Sequence, residues 1–145
     1  MALNLIKLCV GCDSLEDMMQ SVARVKARKT ASGLPDEYVH TTRMMPKRSA
    51  ELLDGGSLYW VIKGNIQCRQ RLLAIRPVTD ASGVGRCELA METVLVPTWW
   101  QPKRAFQGWR YLKGREAPRD LADGENGLAS VPPELRLELA ELGLL

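Results

Sequence analysis

Apolar residues open the chain almost without a gap. Leu3, Leu5, Ile6, Leu8 and Val10 are too dense for strict alternation, which predicts a strand over Leu3–Val10 set well inside a sheet. Gly11 breaks it. Leu15, Met18, Met19, Val22 and Val25 then recur at helical spacing, so 14–28 reads as an amphipathic helix with one core-facing stripe. Asp13-Ser14-Leu15-Glu16 supplies a capping-box-like start, with Asp13 accepting from the first turn and Glu16 reaching back. Arg24, Lys26, Arg28 and Lys29 suit the negative end of the helix dipole. Thr30–Glu37 reads as a loop and Tyr38–Met45 as a second strand, stopped by Pro46, which opens a short helix over 47–53. After Asp54-Gly55-Gly56 comes the strongest β signal, Ser57–Lys63 and Ile66–Val78, joined through Gly64-Asn65 as a two-residue hairpin. The apolar face changes partway along the second of these strands, predicting a bulge or a strand bending around a barrel. Arg86–Val96 is the returning strand. Pro97–Gln107 reads as irregular, and Gly108–Leu112 as a short last strand with Trp109 and Tyr111 on one face. Lys113–Ala129 reads as loop, and Pro132–Leu142 as a helix docking through Leu135, Leu139 and Leu142.

Composition narrows the class. A chain of 145 residues with 46% apolar and 26% charged side chains has the balance of one globular domain, 1–145, and excludes a disordered tract. No apolar run approaches the ~18 residues of a membrane span. The apolar N-terminal stretch is short for a signal peptide and Lys7 interrupts it, so a cytoplasmic protein with no membrane partner is expected. Charge is unevenly spread. Residues 38–76 and 97–119 each carry a net +5, and residues 120–145 carry −5.

The aromatics and cations concentrate together. Trp99, Trp100, Phe106, Trp109 and Tyr111 lie among Lys103, Arg104, Arg110, Lys113, Arg115 and Arg119. Cations beside flat π-faces suit phosphates and stacked bases. Trp60 and Trp109 read as core, whereas Trp99 and Trp100, adjacent between prolines, do not both turn inward easily. Arg69 and Arg71 share a strand face, as a cationic row or as a solvated outer surface. Arg43, Lys47 and Arg48 straddle a strand-to-helix junction where backbone amides add to an anion site. The expected nucleic-acid-binding set is therefore Arg43, Lys47, Arg48, Arg69, Arg71, Trp99, Trp100, Lys103, Arg104 and Arg110.

Enzyme signatures are sparse. Gly83-Val84-Gly85 sits in a hairpin and lacks a third glycine, no Walker sequence occurs, and the single histidine, His40, has no nucleophile at recognisable spacing. Cys9-Val10-Gly11-Cys12 has C-x-x-C spacing between a strand and a helix start, where a helix N-terminus lowers a thiolate pKa. With Cys68 and Cys87 forming no second pair, the cysteines read as small buried apolar residues, metal or redox chemistry being the alternative. No metal or cofactor is expected.

Three strings carry a resemblance: Thr42-Arg43-Met44-Met45-Pro46-Lys47-Arg48, the run from Leu52 to Gly64, and Phe106-Gln107-Gly108-Trp109-Arg110-Tyr111-Leu112. On these the chain is similar, from Leu3 to Leu135, to a bacterial family catalogued as domain-of-unknown-function family fourteen eighty-nine, which brings no activity with it. The order of elements also resembles the PUA-like group of small β-barrels, including ASCH and EVE domains, in which RNA or modified bases are often bound and a few ASCH-type members act as amidohydrolases. The ASCH glycine–lysine–glutamate–arginine motif has no clear match here. The expected fold is α+β, a mixed, strongly bent sheet of five to six strands or a small PUA-like barrel with flanking helices. The expected function is an RNA- or nucleotide-binding module using a basic groove with an exposed tryptophan. The alternatives are a small nucleoside-type hydrolase using Lys63 or His40 as acid–base, or an interaction module using the acidic C-terminal helix.

Overall fold

The structure, a computed structural model, describes residues 2–121. The expected C-terminal helix over 132–142 and the acidic tail beyond Leu121 lie outside the described residues. β1 (Leu3–Leu8) is buried over its first four residues, as its continuous apolar pattern requires. α1 (Leu15–Ala31) packs Met18 and Val22 into the core. Its cap is Ser14, not Asp13: the Ser14 side chain accepts from Asp17 N–H at 3.1 Å, and Asp17 Oδ2 accepts from Asp13 N–H at 3.1 Å. The helix outruns its expected end at 28 because the left-handed residue that closes it is Gly33, at φ 68°, with Leu34 N–H returning to Lys29 O.

β2 (Tyr38–Thr42) and a single helical turn, α2 (Ser49–Leu52), precede the central hairpin of β3 (Ser57–Ile62) and β4 (Asn65–Thr79). The hairpin loop is Lys63-Gly64, one residue earlier than expected. Both take positive φ, 51° and 81°, as a type I′ turn demands, while Asn65 already belongs to the ladder. β5 (Gly85–Met91) pairs the second half of β4, with the expected irregularity between Leu72 and Ala74.

β6 (Val96–Pro102) corrects the irregular reading of 97–107: it pairs Asn65–Arg69 of β4. Its prolines sit near the two ends of the strand, Pro97 opposite Cys68 and Pro102 opposite Asn65, where a missing donor costs least. β7 (Trp109–Lys113) runs antiparallel to β1, while β1 and β3 run parallel. The result is a mixed seven-stranded sheet, one or two strands more than expected, ordered β2-β5-β4-β3-β1-β7 with β6 beside β4.

The sheet curls but does not close. Among the described residues no backbone ladder joins β2 to β7; two β7 side chains bond instead to the segment that follows β2. Trp109 Nε1 donates to Met44 O at 2.8 Å, and Arg48 N–H donates to the Tyr111 hydroxyl at 3.1 Å. One core contains Leu3, Leu5, Leu58, Trp60, Ile62, Leu72, Leu89 and Met91, with Met18 and Val22 of α1. Ile6, Tyr59, Val61, Ile66 and Leu112 form a smaller cluster, by strand alternation on the opposite face, with Phe106 and Ala117 against it. Among the described residues no helix is long and apolar enough to cross a membrane.

Candidate functional site

Strand parity places two lysines on the core-facing side of the sheet, Lys113 opposite Leu3 at one end of β1 and Lys7 towards the other. Lys7 shares a face with Leu3 and Leu5, and it is directly opposite Trp60 on one neighbouring strand and Trp109 on the other. This row, Trp60–Lys7–Trp109, lies near the gap between β2 and β7. A cleft of about 800 Å³ opens there, lined by Lys7, Thr41, Thr42, Arg43, Met44, Arg86, Gln107, Gly108 and Trp109. Trp109 is fixed by its bond to Met44 O and by an edge contact with Tyr111, ring centroids 5.0 Å apart.

Electrostatics make this cleft cationic. Arg86 is held by Asp80, Nε to Oδ2 at 3.0 Å, and the Val84 amide followed by Arg86 pulls the Asp80 carboxyl down to about 2. Lys7 and Arg43 have no carboxylate partner among the described residues. Behind the row, His40 stands edge-on to Trp60, centroids 5.3 Å apart. Burial, and then the charge of Lys7, push its imidazole down to about 4, so the ring is neutral near pH 7. Its Nε2 is buried with no hydrogen-bond partner among the described residues.

The residues expected from sequence are dispersed. Arg43 lines the cleft. Lys47 is exposed, and Arg48 chelates Glu51 at 3.0 and 2.6 Å, lies over the Tyr111 ring and borders a separate hollow with Ala2 and Lys113. Arg69 grips Asp120 with two bonds of 2.8 and 2.7 Å and Ser57 Oγ at 3.0 Å, securing the segment after β7 to β4. Arg71 is exposed on the same strand. Arg110, opposite in parity to Trp109, lies over Phe106, and Lys103 and Arg104 are exposed beyond β6. Trp100 is buried and Trp99 half-buried, both in β6 rather than in a loop. Lys63 reaches Asp13 at 3.3 Å and lies outside the hollow that contains His40.

Lys7, Arg86 and the wall formed by Trp109 were not among the expected site residues. The signal for Lys7 was present: a lone cation in an apolar strand, on the parity of Leu3 and Leu5. A family model described as a protein of unknown function, DUF1489, matches residues 5–145. Comparison with curated proteins and with solved structures found no match.

Proposed function

We propose that this chain, which belongs to the DUF1489 family, is an RNA- or nucleotide-binding module whose ligand enters the cleft between β2 and β7. The observation that carries the reading is the placement of Lys7 between Trp60 and Trp109 at the mouth of a cleft that also holds Arg43. A phosphate between Lys7 and Arg43 satisfies two cations without a carboxylate partner among the described residues. A base against Trp109 gains ~1–3 kcal/mol from stacking. The aromatic role passes from Trp99 and Trp100, which β6 half-buries and buries, to Trp109. The order of elements and the bent sheet support the likeness to PUA-like barrels, and the reading carries with it a cytoplasmic location.

The test is fluorescence anisotropy of a labelled single-stranded RNA. Binding is expected at ~50 mM salt, with log affinity falling against log salt by ~0.7 for each phosphate neutralised. The double variant Lys7→Met, Arg43→Ala lowers that slope by ~1.4, two phosphates' worth. No binding at ~50 mM salt, or an unchanged slope in the double variant, overturns the reading.

A second reading, a hydrolase acting on a nucleoside-type compound, draws on one observation: His40 is a neutral imidazole beside a lysine. Product formation from nucleosides, lost in His40→Gln but retained in Lys63→Met, favours it over simple binding.

A further inference from the structure

The turn between β1 and α1 carries two thiols that the ligand cleft does not use. Cys9 N–H donates to Val61 O at 2.9 Å, which fixes Cys9 at the end of the β1–β3 ladder. Val10 and Gly11 form the tip of the turn. Gly11 takes φ 86°, the value a type II turn requires at its third position, and Val10 is 89% exposed. The chain thereby folds back, and Cys12 returns to Cys9 just ahead of the Ser14 cap. The two sulfurs are in direct contact at 2.6 Å, and each lies 3.6 Å from the thioether of Met18, which is buried beneath them.

Covalent geometry agrees with this placement. A β-turn holds its end Cα atoms within roughly 7 Å, close to the span of about 4.4–6.8 Å that a disulfide takes, and the sulfur contact shows that the two side chains point at one another. Access distinguishes it from the other cysteines. Cys9 and Cys12 are partly exposed and line a hollow of about 320 Å³ with Tyr38 and His40, whereas Cys68 and Cys87 are fully buried.

We propose that Cys9 and Cys12 form a dithiol–disulfide site that is oxidised by a low-molecular-weight disulfide such as oxidised glutathione. The Cys12 thiolate attacks one sulfur of the oxidant; a protein–glutathione disulfide forms, the oxidant's S–S bond breaks and one glutathione thiolate leaves. Cys9 then gives up its proton and attacks the Cys12 sulfur, expelling the second glutathione thiolate. The two protons lost by the protein are taken up by the two thiolates released, so the protein loses two electrons and the oxidant becomes two thiols. Cys12 attacks first because it lies just ahead of the Ser14 cap, where the N-terminus of α1 favours a thiolate, while burial disfavours the Cys9 thiolate. A disulfide has no charge to bury, so the burial that suppresses the thiolate does not oppose the oxidised form.

The experiment equilibrates the full chain in glutathione buffers of rising disulfide content, quenches with acid, alkylates under denaturing conditions and maps peptides by mass. The expected result is the joint loss of two alkylatable thiols, a single peptide holding both Cys9 and Cys12 that is lighter than its reduced form by two hydrogens, and their recovery with dithiothreitol. In Cys9→Ser, one glutathione remains trapped on Cys12. All four thiols alkylated at every buffer composition, or a linked peptide containing Cys68 or Cys87, overturns the site. An unmodified Cys12 in folded Cys9→Ser overturns the order of attack. The mapping of the unmutated chain decides the main point whether or not that variant folds.

Discussion

Acid should loosen this fold through one imidazole before the shifted carboxylates respond. The chain has a single histidine. In the folded state burial against Trp60, and secondarily Lys7, push His40 from 6.5 down to about 4. In the unfolded chain the ring titrates near its ordinary value. Between those two values the unfolded state binds a proton that the folded state refuses, so stability rises with pH across the window. It is complete above about pH 6.5 and declines as the pH falls towards 4. At ~1.4 kcal/mol per unit the ceiling is ~3 kcal/mol; because the ring is only partly buried and solvent screens it, a loss of ~1–2 kcal/mol is expected. With a urea slope of ~2 kcal/mol per molar, the unfolding midpoint should drop by ~0.5–1 M between about pH 7 and pH 4.5. Asp80 and Glu37, both lowered by hydrogen bonds and arginine partners, lose their contributions only at lower pH. Tryptophan fluorescence follows the unfolding, and the lone imidazole gives its own proton resonances. Those resonances should titrate near 4 and move upward in Lys7→Met. They should also move upward when a phosphate-bearing ligand neutralises Lys7, which ties the titration to the proposed cleft. His40→Gln should abolish the dependence over this window. An imidazole that titrates at its ordinary value in the folded protein, or a urea midpoint that does not move, would refute the reasoning.

Two further substitutions probe how the frame is held. At Gly56 an added Cβ would sit 2.3 Å from both Leu3 O and Leu52 O. Both obstacles are backbone, so Gly56→Ala must displace β1 or α2; a loss of ~3 kcal/mol or more is expected, read as a fall of ~10 °C in Tm. Survival within a degree or two of the parent would show the close approach to be soft. Asp120→Asn removes the charge from the bidentate grip of Arg69 and should cost ~1–3 kcal/mol. Its local signature is faster hydrogen exchange at Trp99 N–H and Leu121 N–H, which donate to Arg119 O and Pro97 O. Unchanged exchange there would mean that the segment after β7 is held without the ion pair.

Much of the frame was legible because local chemistry and tertiary packing agree. The dense apolar run of β1 sits inside the sheet, and the change of face along β4 became the irregularity at Leu72 and Ala74. Where they diverged, long-range pairing decided. Pro97 and Pro102 argued for a loop, yet the intervening residues form β6 because the first half of β4 leaves an edge to be paired and both prolines fall near the ends of the new strand. Proline content describes which donors are missing; it does not say whether a distant strand needs the others. The hairpin slipped by one residue for a related reason. Lys63 accepts a left-handed conformation so that Asn65 can pair.

The site was harder to read because its charges were judged by density along the chain. Density favours residues on one loop or strand, but the curled sheet selects by parity and register. Arg110 and Trp109 are neighbours in sequence and face opposite sides of β7, so one lies on Phe106 and the other walls the cleft. Arg69, the strongest member of the expected cationic row, is held by a carboxylate 51 residues away that sequence spacing cannot pair with it. Lys7 behaves in the opposite way. It stands alone in an apolar strand, contributes nothing to a basic cluster, and reaches the centre of the row only because β1 lies between β3 and β7. Lys7 is half-buried in the wall of an open cleft, beside Trp109 and Arg43 and without a carboxylate partner among the described residues. That placement, rather than the abundance of arginine near Trp99, is why the cleft between β2 and β7 is the better place to look for a ligand.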